Sequence, residues 1–426
     1  MVGPYSLSYR GGEMSELLTT VDGRPLKEAL ANAERSKRIR AVLLVLPLFV
    51  FIFFSFLYPI ALMLYRSVEN PLIAEHMVET VAILENWDVK EVPSEEAFAA
   101  LANDLVAARK TREIGKIATR LNFETPGLRS VITGTGRKAA RWGPPFKEQF
   151  IAYRSEWGEL ETWATLKRLS PTITTVNYLA AVDRQLNVEG NVVQIDENYQ
   201  IYVDLFMRTA WMSILVTLAC VILGFPIAYM LASLPLRQSN MLMILVLLPF
   251  WTSLLVRTTS WIVLLQTQGV LNDLMVWVGI INDAQRIQLI FNAQGTVIAM
   301  TQILLPFMVL PLYSVMKTIP PSYLRAAESL GAHRFLAFWR VYVPNTLPGV
   351  GAGCLLVFIL AIGYYITPAL VGGQDGQMIS NMIAFHMQKS LNWGLAAALG
   401  GLLLLGVVLL YWVYNKLVGI DRLQMG

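Results

Sequence analysis

The chain has 426 residues, of which 55% are apolar and 15% charged, whereas a soluble globular chain carries about a quarter charged residues. The apolar excess lies in long uncharged runs, which excludes an ordinary soluble enzyme and describes an all-α, polytopic membrane protein. The net charge of +4 is too mild to mark nucleic acid as a partner; membrane lipid is the expected surroundings. Both cysteines, Cys220 and Cys354, fall inside apolar runs, and His76, His333 and His386 are scattered, so neither a disulfide scaffold nor a metal site is expected.

In chain order, a polar lead of 40 residues comes first. It is too long for the charged segment of a signal peptide, so the uncharged run at 41–65 is expected to stay as the first span. Residues 67–200 then form an unusually long connection. Its flanks are acidic (Glu69, Glu75, Glu79, Glu85 and Asp88; Glu189, Asp196, Glu197 and Asp204) and its middle is basic, from Arg109 to Arg141. Phe98, Leu101, Leu105 and Ala108 follow helical spacing, and Trp87, Trp142, Trp157 and Trp163 add core material. These residues predict a small, mostly helical domain.

Five further spans are expected at 205–234, 241–266, 295–316, 347–371 and 393–417. The division is then a segment at 1–40, a first transmembrane helix at 41–66, the 67–200 domain, and a core at 201–426 with a polar loop at 317–346. Six crossings put both termini on one side. Arg35, Lys37, Arg38 and Arg40 precede the first span, Arg237 lies between the second and third, and Lys317, Arg325, Arg334 and Arg340 lie between the fourth and fifth. Lys416 and Arg422 close the chain, while the opposite short loops offer Arg286 alone. Basic residues mark the cytoplasmic side, so both termini are expected there and 67–200 outside.

The loop at 320–348 is the most informative stretch. Pro320 and Pro321 suit a helix start, and Tyr323, Ala326, Ala327 and Leu330 fall on one face. Gly331 stands where a left-handed C-terminal cap is needed. Phe335, Phe338, Trp339, Tyr342 and Val343 pattern a second helix, which Pro344 is expected to end. Two short helices meeting at a small-residue corner can form a projecting docking surface; the alternative is a hairpin lying on its own bundle.

That loop resembles the coupling motif of ABC importer permeases: Glu-Ala-Ala, three residues, Gly, nine residues, Ile-x-Leu-Pro. Here it reads Arg325-Ala326-Ala327, Gly331, then Val341-Tyr342-Val343-Pro344, with both spacings kept and Arg325 in place of the glutamate; Glu328 lies one turn away. The runs at 208–232, 247–265, 305–316 and 363–373 look like the spermidine/putrescine-type permeases, with 67–200 an extra piece. The resemblance, taken to cover all six spans and about two thirds of the chain, implies a type I ABC importer permease fold. It implies transport of a polyamine or related small solute delivered by an extracytoplasmic binding protein. It implies two ABC ATPase subunits and a second, related permease in a heterodimer, in a bacterial inner membrane. The coupling residues would be Arg325, Ala326, Ala327, Glu328, Gly331, Ala332, His333 and Pro344, with ATP and Mg held by the ATPase and no cofactor or catalytic site in this chain.

Arg257 is the one charge well inside an apolar run. Such a charge costs about 2.5–3.5 kcal/mol on insertion scales and faces a partner, a cavity or, by snorkelling, water. A straight third span would put it roughly 24 Å from the cytoplasmic end. A cation path would want carboxylates and aromatic faces, and Asp273, Asp283 and Asp375 with Trp251, Trp261, Tyr364, Tyr365 and Trp393 are its candidates; each aromatic also fits an interfacial belt. Gly349 and Gly353 fit close helix packing better than a dinucleotide loop, and 134–138 lacks P-loop spacing. A stand-alone secondary transporter or channel is the other reading, although the spans hold little charge besides Arg257. An enzymatic or sensory role for 67–200 finds no supporting cluster of reactive side chains.

Overall fold

The computed structural model describes residues 26–418, in two units that divide between Tyr65 and Arg66. In the first unit a helix runs Leu26–Ile52, widens to a π turn at Phe53–Leu57, and resumes at Tyr58. Lys37–Val68 is long and apolar enough to cross a membrane.

In the second unit, residues 71–200 fold into short helices. The face predicted from spacing is the interior: Phe98, Leu101 and Leu105 are fully buried and Ala108 nearly so. Trp157 and Trp163 are also fully buried, and Trp163 packs edge-on against Phe98 at 4.6 Å. Trp87 and Trp142 lie at the margin of this core. Because the two central indoles are buried, their N–H groups need partners: Trp157 donates to Thr135 Oγ1 at 2.9 Å and Trp163 to the Trp157 carbonyl at 3.0 Å. A two-stranded antiparallel hairpin, Arg184–Leu186 with Val192–Gln194, closes the segment.

Among the described residues, four helices of the second unit are each long and apolar enough to cross a membrane: Tyr202–Ser233, Ala293–Thr318, Arg334–Ile362 and Trp393–Lys416. Ala293–Thr318 is central, with 61% of its most apolar window buried against 28–33% in the other three. It packs by small residues. A Cβ on Gly353 would stand 2.6 Å from Met308 Sδ, and one on Gly224 would stand 2.9 Å from Met308 Cγ, so Met308 fills the space that two glycines leave on neighbouring helices.

Three expectations are corrected. The third span is not the straight helix 241–266: Leu236–Trp251 and Leu254–Val278 are bent by 97°. Pro249 sits in a 3₁₀ turn at Leu248–Trp251, and Thr252 and Ser253 are extended, so the ladder stops where proline supplies no N–H. The fifth span ends at Ile362 rather than at 371; Gly363 caps it and Ile366–Val371 is a separate helix. Pro344, finally, ends no helix. The residues before it open into a π turn at Phe338–Tyr342, whose Val343 N–H donates to the Phe338 carbonyl, and the helix runs on to Ile362. The wider turn carries the carbonyl that would clash with the proline ring out of its way. Asn345 Nδ2 then takes up the Val341 carbonyl at 2.6 Å. Pro59 follows the π turn at Phe53–Leu57 by the same two residues.

Candidate functional site

The corner at 320–344 is built from the backbone outward. Pro321 begins the helix Pro321–Ser329, where its missing N–H is no loss. Gly331 adopts φ +90°, its N–H donates to the Glu328 carbonyl at 3.0 Å, and the Ala332 N–H donates to the Ala327 carbonyl at 3.0 Å. These two bonds are the glycine-capped helix end expected from the sequence. A Cβ on Gly331 would meet nothing within 4 Å, so the left-handed backbone alone requires glycine here. His333 starts the next helix and accepts the Phe335 N–H on Nδ1 at 3.3 Å. Across the turn, Glu328 Oε1 lies 3.7 Å from Arg334 Nε.

The corner has an inner and an outer apolar face. Leu324, Phe338 and Tyr342 belong to the core of the bundle, where Tyr229 meets Phe338 and Tyr342 edge-on, each at 5.3 Å. Of the face predicted on the first helix, Tyr323 is 49% and Leu330 90% exposed; Phe335 and Trp339 on the second are also exposed. Arg325 and Ala326 are exposed with them, as is Pro344, while Ala327 and Ala332 are half-buried. In the alternative reading, a hairpin lying flat on its bundle, that face would be covered.

The second group of predicted residues is spread out. Arg257 sits at the break in the third span, and the depth counted along a straight helix does not apply. Its guanidinium donates to the Pro249 carbonyl, to the Thr252 carbonyl at 3.1 Å and to Thr252 Oγ1 at 3.4 Å. It thus braces both sides of the bend: the Pro249 carbonyl, which also accepts the Thr252 N–H at 3.3 Å, and the Thr252 carbonyl. Trp251, in the same break, is 79% exposed. Trp261 Nε1 donates to Gln302 Oε1 at 3.1 Å.

Asp273 and Asp283 are brought together, by Arg286, which lies 2.8 Å from each. Sequence reasoning missed that pairing because Arg286 was counted only as a loop charge. Tyr364 packs against the main bundle core, and the Tyr365 carbonyl accepts from Asn381 Nδ2 at 2.8 Å. Asp375 is exposed in the turn after Val371, beside Gln374, whose carbonyl accepts from Arg208 at 3.0 Å.

The family described as binding-protein-dependent transport system inner membrane component matches residues 211–418. The spermidine/putrescine transport system permease protein PotB of Escherichia coli (strain K12) is 36% identical over 221 residues, which are 51% of this chain and 80% of that protein. The molybdenum transport system permease protein ModB of Mycobacterium bovis is 31% identical over 188 residues, 44% of this chain and 69% of that protein. A crystal structure of a bacterial ABC transporter involved in import of the acidic polysaccharide alginate aligns with a TM-score of 0.42 at 16% identity, covering 51% of this chain and 78% of that one. The family match begins inside the second span, so it takes in about half of the chain and not the first span, which had been expected within it.

Proposed function

This chain belongs to the inner-membrane components of binding-protein-dependent transport systems, and from that membership we propose how its parts divide the work. It is a permease subunit of an ABC importer, not a stand-alone carrier. The corner at 320–344 receives the ATPase subunits, which bind ATP and Mg. A second, related permease completes the pathway as a heterodimer, and an extracytoplasmic binding protein delivers the cargo to the side that carries residues 67–200. With the bent pair counted as one crossing there are six among the described residues, and on this reading both termini are cytoplasmic.

The observation that carries the coupling reading is the outward apolar face of the corner. Tyr323, Leu330, Phe335 and Trp339 are exposed on a loop held in place from beneath by Leu324, Phe338 and Tyr342, and an exposed apolar patch rimmed by charge marks a protein contact. Arg325, Ala326, Ala327, Glu328, Gly331, Ala332 and His333 shape that contact. Purification in mild detergent with mass spectrometry of the companions tests it: the wild type brings an ATPase, and Leu330→Glu loses it. Equal recovery by both overturns the docking role.

The cargo we propose is a polyamine, the solute in the PotB relative's name. The pathway residues are Arg257, Trp251, Trp261, Tyr364, Tyr365 and Asp375; Asp273 serves mainly its partner Arg286. Uptake of labelled spermidine, competed by putrescine and not by molybdate, is the expected result. Uptake of molybdate instead would overturn the cargo and leave the coupling reading standing.

A further inference from the structure

Beside the start of the last span, the second unit holds a cavity of about 530 Å³. Its wall carries three cations, Arg66, Lys116 and Arg120, and one carboxylate, Glu69. Lys116 is paired with Glu113 at 2.9 Å, and Arg66 is exposed.

Arg120 is the built part of the site. Its Nε donates to Asn70 Oδ1 at 3.0 Å and its Nη1 to Glu124 Oε1 at 3.0 Å. Asn70 is itself fixed, because its Nδ2 donates to the Leu169 and Pro171 carbonyls at 2.6 and 3.1 Å. Held on two sides, the guanidinium keeps Nη2 buried and without a hydrogen-bond partner. A buried charged N–H is costly to leave unmet, so this group calls for an acceptor, best a charged one.

The surroundings say which kind of acceptor. Arg66 lies in the last turn of the helix that carries the first apolar run, and Trp393 is the first residue of the last span. Trp393 therefore stands at the level where a bilayer's hydrocarbon gives way to headgroups, and Arg66 lines the same cavity. Leu391 and Trp393, which line the cavity, are 62% and 47% exposed. A cationic wall next to an exposed apolar rim matches a molecule with phosphate at one end and hydrocarbon at the other. The geometry points to a binding site for the phosphate of an anionic phospholipid, held by Arg120 and Arg66, with its glycerol and upper acyl chain against Leu391 and Trp393.

The test uses the full chain in detergent, incubated with dioleoyl phosphatidylglycerol or dioleoyl phosphatidylcholine and read by native mass spectrometry, with sodium phosphate as a separate arm. The wild type should retain phosphatidylglycerol in preference. Removing one basic contact at a membrane surface should weaken that retention about fivefold, in Arg120→Gln and again in Arg66→Gln. Arg66 is exposed, so its variant carries the test if Arg120→Gln fails to fold. Equal retention of the two lipids by the wild type overturns the site, as does undiminished preference in the Arg66→Gln variant. Thermal stabilisation by free phosphate without any lipid preference would make the acceptor a soluble anion and overturn the lipid.

Discussion

The carboxylate of Asp183 accepts the backbone N–H of Val203 at 2.7 Å, and those of Ile201 and Tyr202 at 3.1 Å. Asp183 is 4% exposed and belongs to the 67–200 segment, whereas the three amides open the second span. Free N–H groups at a helix start attract an anion, so the segment is fastened to the core by a cap borrowed from 18 residues upstream. Asp183→Ala should cost about 1–2 kcal/mol at that helix end. Hydrogen exchange at residues 201–203 checks it, and unchanged protection would show that the cap is dispensable.

Burial raises the Asp104 carboxyl above its ordinary 3.8, against the pull of the Thr80 N–H and hydroxyl that donate to it. A folded-state value above the unfolded one means that this group's contribution is greatest below 3.8 and is lost as pH rises through the folded value. Asp104→Asn, which keeps an acceptor for Thr80, should flatten that part of the pH dependence. Thermal unfolding of both proteins between about pH 4 and 7 decides it; parallel curves would remove Asp104 as the cause.

Burial also lowers His386 below 6.5, and its ring contacts Tyr202 Oη and Ser390 Oγ, both at 2.8 Å. Burial favours the neutral ring, so stability is full above 6.5 and falls as acid drives pH through the folded value. His386→Gln should resist acidification to about pH 5 better than the wild type. Loss of stability at the same pH in both would contradict this.

Gly349 lies where a Cβ would stand 3.0 Å from Val315 Cβ and 3.2 Å from the Pro311 carbonyl. Neither neighbour can swing aside, so Gly349→Leu should cost about 1–3 kcal/mol by overpacking. The melting temperature in detergent should drop accordingly, and a wild-type value would mean that the two helices separate without cost.

Arg257→Gln leaves the Pro249 and Thr252 carbonyls with one donor fewer, and a lost hydrogen bond costs about 0.5–1.5 kcal/mol. Arg257→Lys should recover only part of this, because an ammonium cannot reproduce the guanidinium fork. Uptake and thermal stability should fall together in that order. Uptake intact while stability falls would take Arg257 off the cargo path and leave it a brace of the break alone.

Periodicity was enough to find the Phe98–Ala108 face, because a helix buried on one side writes its period into its own residues. Gly331 was legible for a similar reason: a left-handed cap needs a glycine at a set place after the helix. The break at Pro249 was not, since an apolar run reads alike whether straight or bent by 97°; the sequence Pro249 to Ser253 held the only local sign. The role of Arg286 stayed hidden because its two carboxylates compete on equal terms with every other loop charge until the chain is folded. Pro344 misled for a physical reason, since the rule that proline stops a helix assumes an α turn before it, and here a π turn stands there.

The aromatic contacts beneath the corner set how a push there travels. Phe338 and Tyr342 stack at 5.5 Å with their planes 16° apart, and Tyr229 of the second span abuts both. The π turn that carries Phe338 and Tyr342 leads straight into the helix ending at Ile362. A load on the outer face is thus split at its origin, part running up its own helix and part crossing sideways through stiff rings into the second. Two struts leaving one footing rotate as a pair, so the corner is geared to tilt a wedge of the bundle instead of drawing out a single rod.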